Sequence, residues 1–208
     1  MEDVLDVYHR PYDPKRPQVC LDEKPVLLRA DLLPSLEPAP GQPWRQDYEY
    51  IRHGTANVFV AFEPLANWRH LAVTQRRTRV DFAHFVKDLV DGHYHAAEKI
   101  VLVMDNLNTH SPASLYEAFA PEEAKRIADK LEIHHTPKHG SWLNMAEIEL
   151  SVVGRRLPER LGDVTTLTAH CAAFESQRND QRLSVDWRFT AADARIKLKR
   201  LYPVIELR

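Results

Sequence analysis

The chain has no apolar run approaching the roughly 20 residues needed to span a bilayer, and its start, MEDVLDVYHR, is acidic where a secretory leader would be basic and then apolar. A cytoplasmic protein without membrane contact is expected. Cysteine is scarce. Cys20 and Cys171 stand far apart with no CxxC partner, which argues against both a disulfide framework and a cysteine zinc site. Histidine is plentiful, but His93, His95, His134, His135 and His139 follow no standard zinc spacing. There is no internal repeat and no low-complexity tract. An excess of positive charge is also missing: the formal net charge is −2, which argues against a protein that coats nucleic acid. That total hides an asymmetry. From Arg155 onward there are 11 basic and 7 acidic side chains, a net of +4, against −6 for the residues before it. Acids gathered in the larger part could include metal ligands, and the basic tail could meet phosphates, although ordinary solvated surface explains the asymmetry taken alone.

With 208 residues and 44% hydrophobic content, the chain suits one domain with an appendage. Its most informative stretch is IVLVMDNLNTH at 100–110. Five apolar residues, three of them β-branched, predict a central strand covered on both faces. The run ends abruptly in Asp105, Asn106, Asn108 and His110. Ser111 can cap a following helix and Pro112 suits its first position, so Asp105 is free for other work. In α/β sheets the chemistry usually sits just beyond the carboxyl ends of strands. A turn-rich surface loop would have the same composition, and from this stretch alone the two readings stay open.

Along the chain, residues 1–18 read as an extended N-terminal segment with at most a short helix. Val19–Leu21 is a brief strand ending in Asp22 and Glu23, a second strand-then-acid pattern. Five prolines between Lys24 and Thr55 predict a long irregular excursion. Further strands are expected at 57–63 (NVFVAFE), 70–74 (HLAVT) and 131–134. Amphipathic or charged helices are expected at 81–90, 112–120 and 121–130. A longer helix, from about Met145 to Arg160 with Asn144 as N-cap, follows the Pro/Gly turn of TPKHGSWLN. Helices near 167–178 and 191–201 complete a basic appendage over 162–208. The segment 19–161 is then the main domain.

Acids end the first and fourth strands, and another opens a late helix. Three carboxylates converging at one edge of a sheet can hold two magnesium or manganese ions about 3.5–4 Å apart, the geometry for in-line attack on a phosphodiester. One ion would activate the attacking water or 3′-hydroxyl and the other would stabilise the leaving oxygen. At these residues the sequence resembles the catalytic domain of DDE transposases, in the bacterial insertion-sequence group related to mariner elements, themselves similar to retroviral integrases. VCLDEKP, LVMDNLNTH and TPKHGSWLNMAEIE look like its three acidic blocks, and the resemblance extends to RHGT at 52–55 and to the tail DARIKLKRLYP. It implies an α/β ribonuclease-H-like fold with a mixed sheet flanked by helices. It also implies divalent metal dependence, and cleavage and strand transfer on double-stranded DNA at transposon ends and target, with a homodimer on DNA. Carried over residue by residue, the triad is Asp22, Asp105 and Glu147. Unlike a full transposase, the sequence shows no helix-turn-helix segment ahead of the catalytic blocks.

At the third acid two glutamates compete. Glu147 and Glu149 point roughly 200° apart on a helix. Glu147 shares a face with Leu150, Gly154 and Leu157, which predicts that it leans inward, while a capping box with Asn144 is its plainer role. Glu23 should leave the strand on the face opposite Asp22. His110 could orient a carboxylate or meet a phosphate, or simply pack at a helix start. Asn106 and Asn108 could tighten their loop or donate to phosphate, and Lys138, His139 and Arg52 are DNA-binding candidates. Trp142 could pack over the edge of the site or belong to the core. Two other functions fit the same pattern: a non-catalytic DNA-binding or assembly remnant of a transposase, resting on the basic tail, and a ribonuclease-H-type nuclease acting on RNA–DNA hybrids.

Overall fold

The computed structural model describes residues 1–36, 38–43 and 45–202. Pro203 of the DARIKLKRLYP stretch and residues 204–208 of the appendage lie outside the described residues. The elements are, in chain order, α1 (Glu2–Tyr8), β1 (Gln18–Asp31), β2 (Tyr50–Glu63), β3 (Trp68–Thr74), α2 (Arg79–Asp91), β4 (Ile100–Met104), α3 (Ala113–Ala118), α4 (Pro121–Asp129), β5 (Leu131–His135), α5 (Ala146–Arg156), α6 (Val164–Asp180) and α7 (Ala191–Lys197). One sheet has the order β3-β2-β1-β4-β5. The first three strands are antiparallel, and β4 and β5 run parallel to β1.

The alternation of side chains along each strand sorts the core into two layers. Cys20, Val58, Val60, Phe62, Val101 and Val103 face α1, α5 and α6, where they pack with Leu5, Leu150, Val153, Cys171 and Phe174. Val19, Leu21, Phe59, Ala61, Ile100 and Leu102 face the other way, onto Phe82, Phe85, Val86 and Leu89 of α2 and Leu115 and Ile127 of α3 and α4. Every residue of β4 is buried, as a run without polar alternation requires when helices cover both faces. Burial of about 1.5–3 kcal/mol per large side chain in the α2 stripe is ample to hold a thirteen-residue helix that would be marginal alone. The N-terminal helix and the helices after Gly162 contribute Val4, Leu167 and Ala194 to the same apolar cluster as the strands.

Three local expectations are corrected. The excursion expected from Lys24 to Thr55 is paired strand at both ends: β1 runs on to Asp31 and pairs with β2 from Tyr50, forming an antiparallel arm. Pro25 misleads because β4 pairs only with Gln18–Cys20, so beyond that point one edge of β1 has no partner strand and a proline is tolerated there. Within the arm, Leu28 stands opposite two residues, His53 and Gly54, and Gly54 takes the φ of +100° that such a bulge uses. Ser111 does not cap α3 through its hydroxyl. Pro112 already has helical angles, and Ser111 supplies only the carbonyl that accepts from Ser114 N. Helix α5 is shorter than expected, stopping at Arg156 because Pro158 drives Leu157 to ψ 136°.

Candidate active site

Because β4 leaves β1 after Cys20, the sheet opens between the two strands where their acids emerge. Asp22 follows the parity of Cys20 and therefore points to the α5 side. It is 6% exposed. Its Oδ1 accepts from Glu23 N at 2.8 Å, and its Oδ2 lies 3.2 Å from Asn144 Nδ2. Burial, with the charges of Glu147, Asp105 and Glu23 adding to it, pushes the Asp22 carboxyl up to about 7.

Asp105 is the first residue past β4. Its loop is pinned to β5, because His135 Nδ1 lies 3.2 Å from Asp105 O and Thr136 N donates to Met104 O at 2.9 Å. Asp105 Oδ1 accepts from Leu107 N at 3.2 Å and faces His110 Nδ1 at 2.5 Å. Burial pushes this carboxyl up, but the bond and charge of His110, with the Leu107 amide, outweigh it and hold the group below its ordinary range. Burial likewise works against a charged His110, yet its bonds to Asp105 and to Glu23 raise it to about 9.

Glu147 corrects the helix-phase expectation. It is exposed on the first turn of α5, whose buried residues are Ala146, Glu149, Leu150 and Val153. It borders an open groove of about 430 Å³ together with Lys24, Gly154 and Arg155. The residue that turns inward is Glu149, fully buried, which accepts from Arg178 Nε at 3.0 Å and Nη2 at 2.7 Å and lies 3.4 Å from Arg69 Nε. A carboxylate clasped by two guanidiniums is structural, which leaves Glu147 as the acid whose charge reaches Asp22. No capping box forms with Asn144. That side chain is buried, donates to Leu21 O at 2.8 Å and accepts from Ala146 N at 3.2 Å, so it ties the start of α5 to β1 beside Asp22. Sequence reasoning placed Asn144 at the helix start but missed this bridge, because its partner lies 123 residues away.

The other candidates separate clearly. Asp105, Asn106, Lys138, His139 and Ser141 line a cleft of about 450 Å³. Asn106 and Asn108 line a second of about 300 Å³ with Glu23 and Arg77. Arg52 is not brought to the acids. It pairs with Arg29 on the arm, seven residues beyond Asp22, or about 23 Å at 3.3 Å per residue. Trp142 is 46% exposed and meets Phe189 edge-on at 5.7 Å.

The donor set suits a hard divalent cation: carboxylate oxygens, one of them on an acid that burial and then the neighbouring negative charges raise to about 7. Among the described residues no three His, Cys, Asp or Glu side chains crowd closely enough to enclose an ion by themselves. The hydrogen bonds to Asp105 all fall on Oδ1, leaving Oδ2 without one among the described residues. No helix among the described residues is long and apolar enough to cross a membrane.

Comparison with known proteins bears on this arrangement. The fold is similar to the Mos1 mariner paired-end complex with Mn, at a TM-score of 0.59 and 14% identity over 87% of this chain and 54% of that one. The Mos1 strand transfer complex follows with 0.54 and 13% over 87% and 56%. A pre-cleavage Mos1 transpososome gives 0.52 and 13% over 87% and 58%. The chain thus spans a little over half the length of these proteins. At such identity the likeness establishes the fold, a ribonuclease-H-like mixed sheet flanked by helices. Curated protein sequences give no match. The sequence profile described as DDE superfamily endonuclease matches residues 17–168, and on that extent the chain belongs to this family.

Proposed function

We propose that Asp22, Asp105 and Glu147 hold divalent magnesium or manganese, two ions in the working site, and that this chain is the catalytic domain of a transposase that cuts and joins double-stranded DNA. The observation that carries the reading is geometric: Asp22 and Asp105 emerge where β4 leaves β1, and Asn144 ties Asp22 to the start of α5, which carries Glu147. Burial, with the charges of Glu147, Asp105 and Glu23 adding to it, raises Asp22 to about 7. Such a cluster opposes folding at neutral pH unless a proton or a cation relieves it. When bound, the ions supply Lewis-acid activation of the attacking oxygen and stabilisation of the leaving one. The chain's own residues hold the site in place. Asn144 ties Asp22 to α5, the Leu107 amide and His110 fix Asp105 Oδ1, and Lys138, His139 and Asn106 offer the neighbouring cleft to a phosphate backbone. Residues 19–161 form the catalytic unit in this reading, with 1–18 an extension and 162–208 a basic appendage. A homodimer pairing two DNA ends belongs to the same proposal, supported by the paired-end complexes among the structural neighbours.

A labelled duplex incubated with Mn²⁺ or Mg²⁺ tests it, with an RNA–DNA hybrid alongside. Wild type should nick the duplex in preference to the hybrid, and Asp105→Asn and Glu147→Gln should each lose nearly all of that activity while remaining folded. Equal nicking by wild type and Asp105→Asn would sink the reading. Preference for the hybrid would redirect it to a ribonuclease-H-type enzyme.

A further inference from the structure

Glu23 is a buried acid beside the three that the proposed function uses, and its role is unassigned. It follows Asp22 on β1, so it leaves the strand on the opposite face, toward α2. There its Oε2 lies 2.8 Å from His110 Nε2, while Nδ1 of the same ring lies 2.5 Å from Asp105 Oδ1. The imidazole has no exposed side-chain surface, and the Phe82 ring packs against it at 5.0 Å between centroids. Arg77 Nη1 stands 3.9 Å from the other Glu23 oxygen. Each ring nitrogen therefore meets a carboxylate, and flipping the ring would turn carbon toward both. The strand thus sets Glu23, Glu23 sets the ring, and the ring sets one oxygen of Asp105.

Resting on the reading of Asp105 as a metal ligand, we infer that Glu23 is a positioning residue. Acting through His110, it locks Asp105 Oδ1 inward so that Oδ2 is the oxygen offered to a divalent cation. A carboxylate that reaches a ligand only through an intervening imidazole has no need to touch the ion itself. Outer partners of this kind typically change metal affinity or activity by about 10–100-fold when removed.

The test measures Mn²⁺ affinity by calorimetry on the whole chain, below its melting temperature, alongside thermal unfolding of the metal-free protein and Mn²⁺-dependent nicking. Glu23→Leu should weaken Mn²⁺ binding about 10–100-fold. Glu23→Gln should recover most of the loss, since its amide oxygen still accepts from His110 Nε2. His110→Asn keeps a donor near Asp105 but breaks the link to Glu23, so it should fall in the range of Glu23→Leu and serves in its place if the leucine variant does not fold. The double variant should bind no more weakly than the worse single one, because both cut the same chain of contacts. A lower melting temperature for Glu23→Leu with unchanged Mn²⁺ affinity would mean a purely structural pair and overturn the inference. A glutamine variant as deficient as leucine would overturn it too, by making Glu23 a direct ligand. Asp105→Asn separates the two levels. If it binds Mn²⁺ as wild type does, the proposed function itself fails. If it loses binding while Glu23→Leu keeps it, only the role of Glu23 fails.

Discussion

Two buried acids, one in α5 and one on β1, are treated in opposite ways. Glu149, on the inward face, is met by Arg69 and Arg178, two guanidiniums that are themselves buried, and Arg69 is further tied to Asn179 and to Leu183 O. Asp22, on β1, is raised to about 7 by burial, with the charges of Glu147, Asp105 and Glu23 adding to it. The first arrangement is complete without any added ion and fastens α6 to the sheet and to α5. The second is incomplete. Among the described residues Glu149 has two arginine partners and Asp22 has no salt bridge, a contrast that agrees with the proposed metal role of Asp22.

The largest stability effect should follow from breaking the satisfied side. Glu149→Gln leaves two buried guanidiniums without their counter-charge, and removing one partner of a buried pair typically costs about 3–5 kcal/mol. Urea unfolding followed by tryptophan fluorescence should show a loss of this size, with cleavage per folded molecule little changed. A loss under about 1 kcal/mol would mean that water reaches the pair and that the contrast with Asp22 is overstated.

These glutamates also show how much was legible in the sequence. The β4 strand was readable to the residue, because an apolar run buried on both faces needs no long-range information, and so was the acid at its end. The phase of α5 was not. Leu150 is buried as expected, but its neighbours on the buried face are Ala146, Glu149 and Val153, and Glu149 is there because Arg178 and Arg69, 29 and 80 residues away, neutralise it. Local periodicity counts a glutamate as polar and assigns it to solvent. Likewise, alternation placed Glu23 on the far side of the strand, but its contact with His110 spans 87 residues and has no local signal. The extension of β1 through Pro25 was hidden because proline speaks against a strand unless the strand is known to have a free edge there.

An intermediate effect is expected on the unsatisfied side, and it has the opposite sign. The Asp22 carboxyl titrates near 7 in the folded protein and near 3.8 when exposed. Between those values the folded state holds the extra proton, so stability falls as pH rises from about 4 to about 7 and then levels off. Asp22→Asn removes that penalty. Without metal, the variant should match wild type near pH 4 and exceed it above pH 7, by at most about 4 kcal/mol given about 1.36 kcal/mol per unit and a site open to some water. Added Mg²⁺ should then stabilise wild type more than the variant. Thermal unfolding across pH, with and without Mg²⁺, checks both statements. A variant that is less stable than wild type at pH 8 without metal would show that Asp22 is held by its hydrogen bonds rather than strained by its neighbours.

The smallest effect should come from Glu147→Gln, and its smallness is informative. Glu147 is exposed on the first turn of α5, where a negative charge favours the helix dipole by about 0.3–1 kcal/mol. The same charge opposes Asp22, so the two contributions work against each other, and the metal-free stability at neutral pH should move by no more than about 0.5 kcal/mol. What should move is the titration of Asp22, followed by NMR of its carboxyl carbon. Burial is the larger cause of its shift and stays in place, so the midpoint should drop below about 7 yet remain above 3.8 once the Glu147 charge is gone. An unmoved midpoint would mean that Glu147 is too distant or too well screened to act on Asp22. The third acid would then have to be sought elsewhere, since Glu149 is already committed to its arginines.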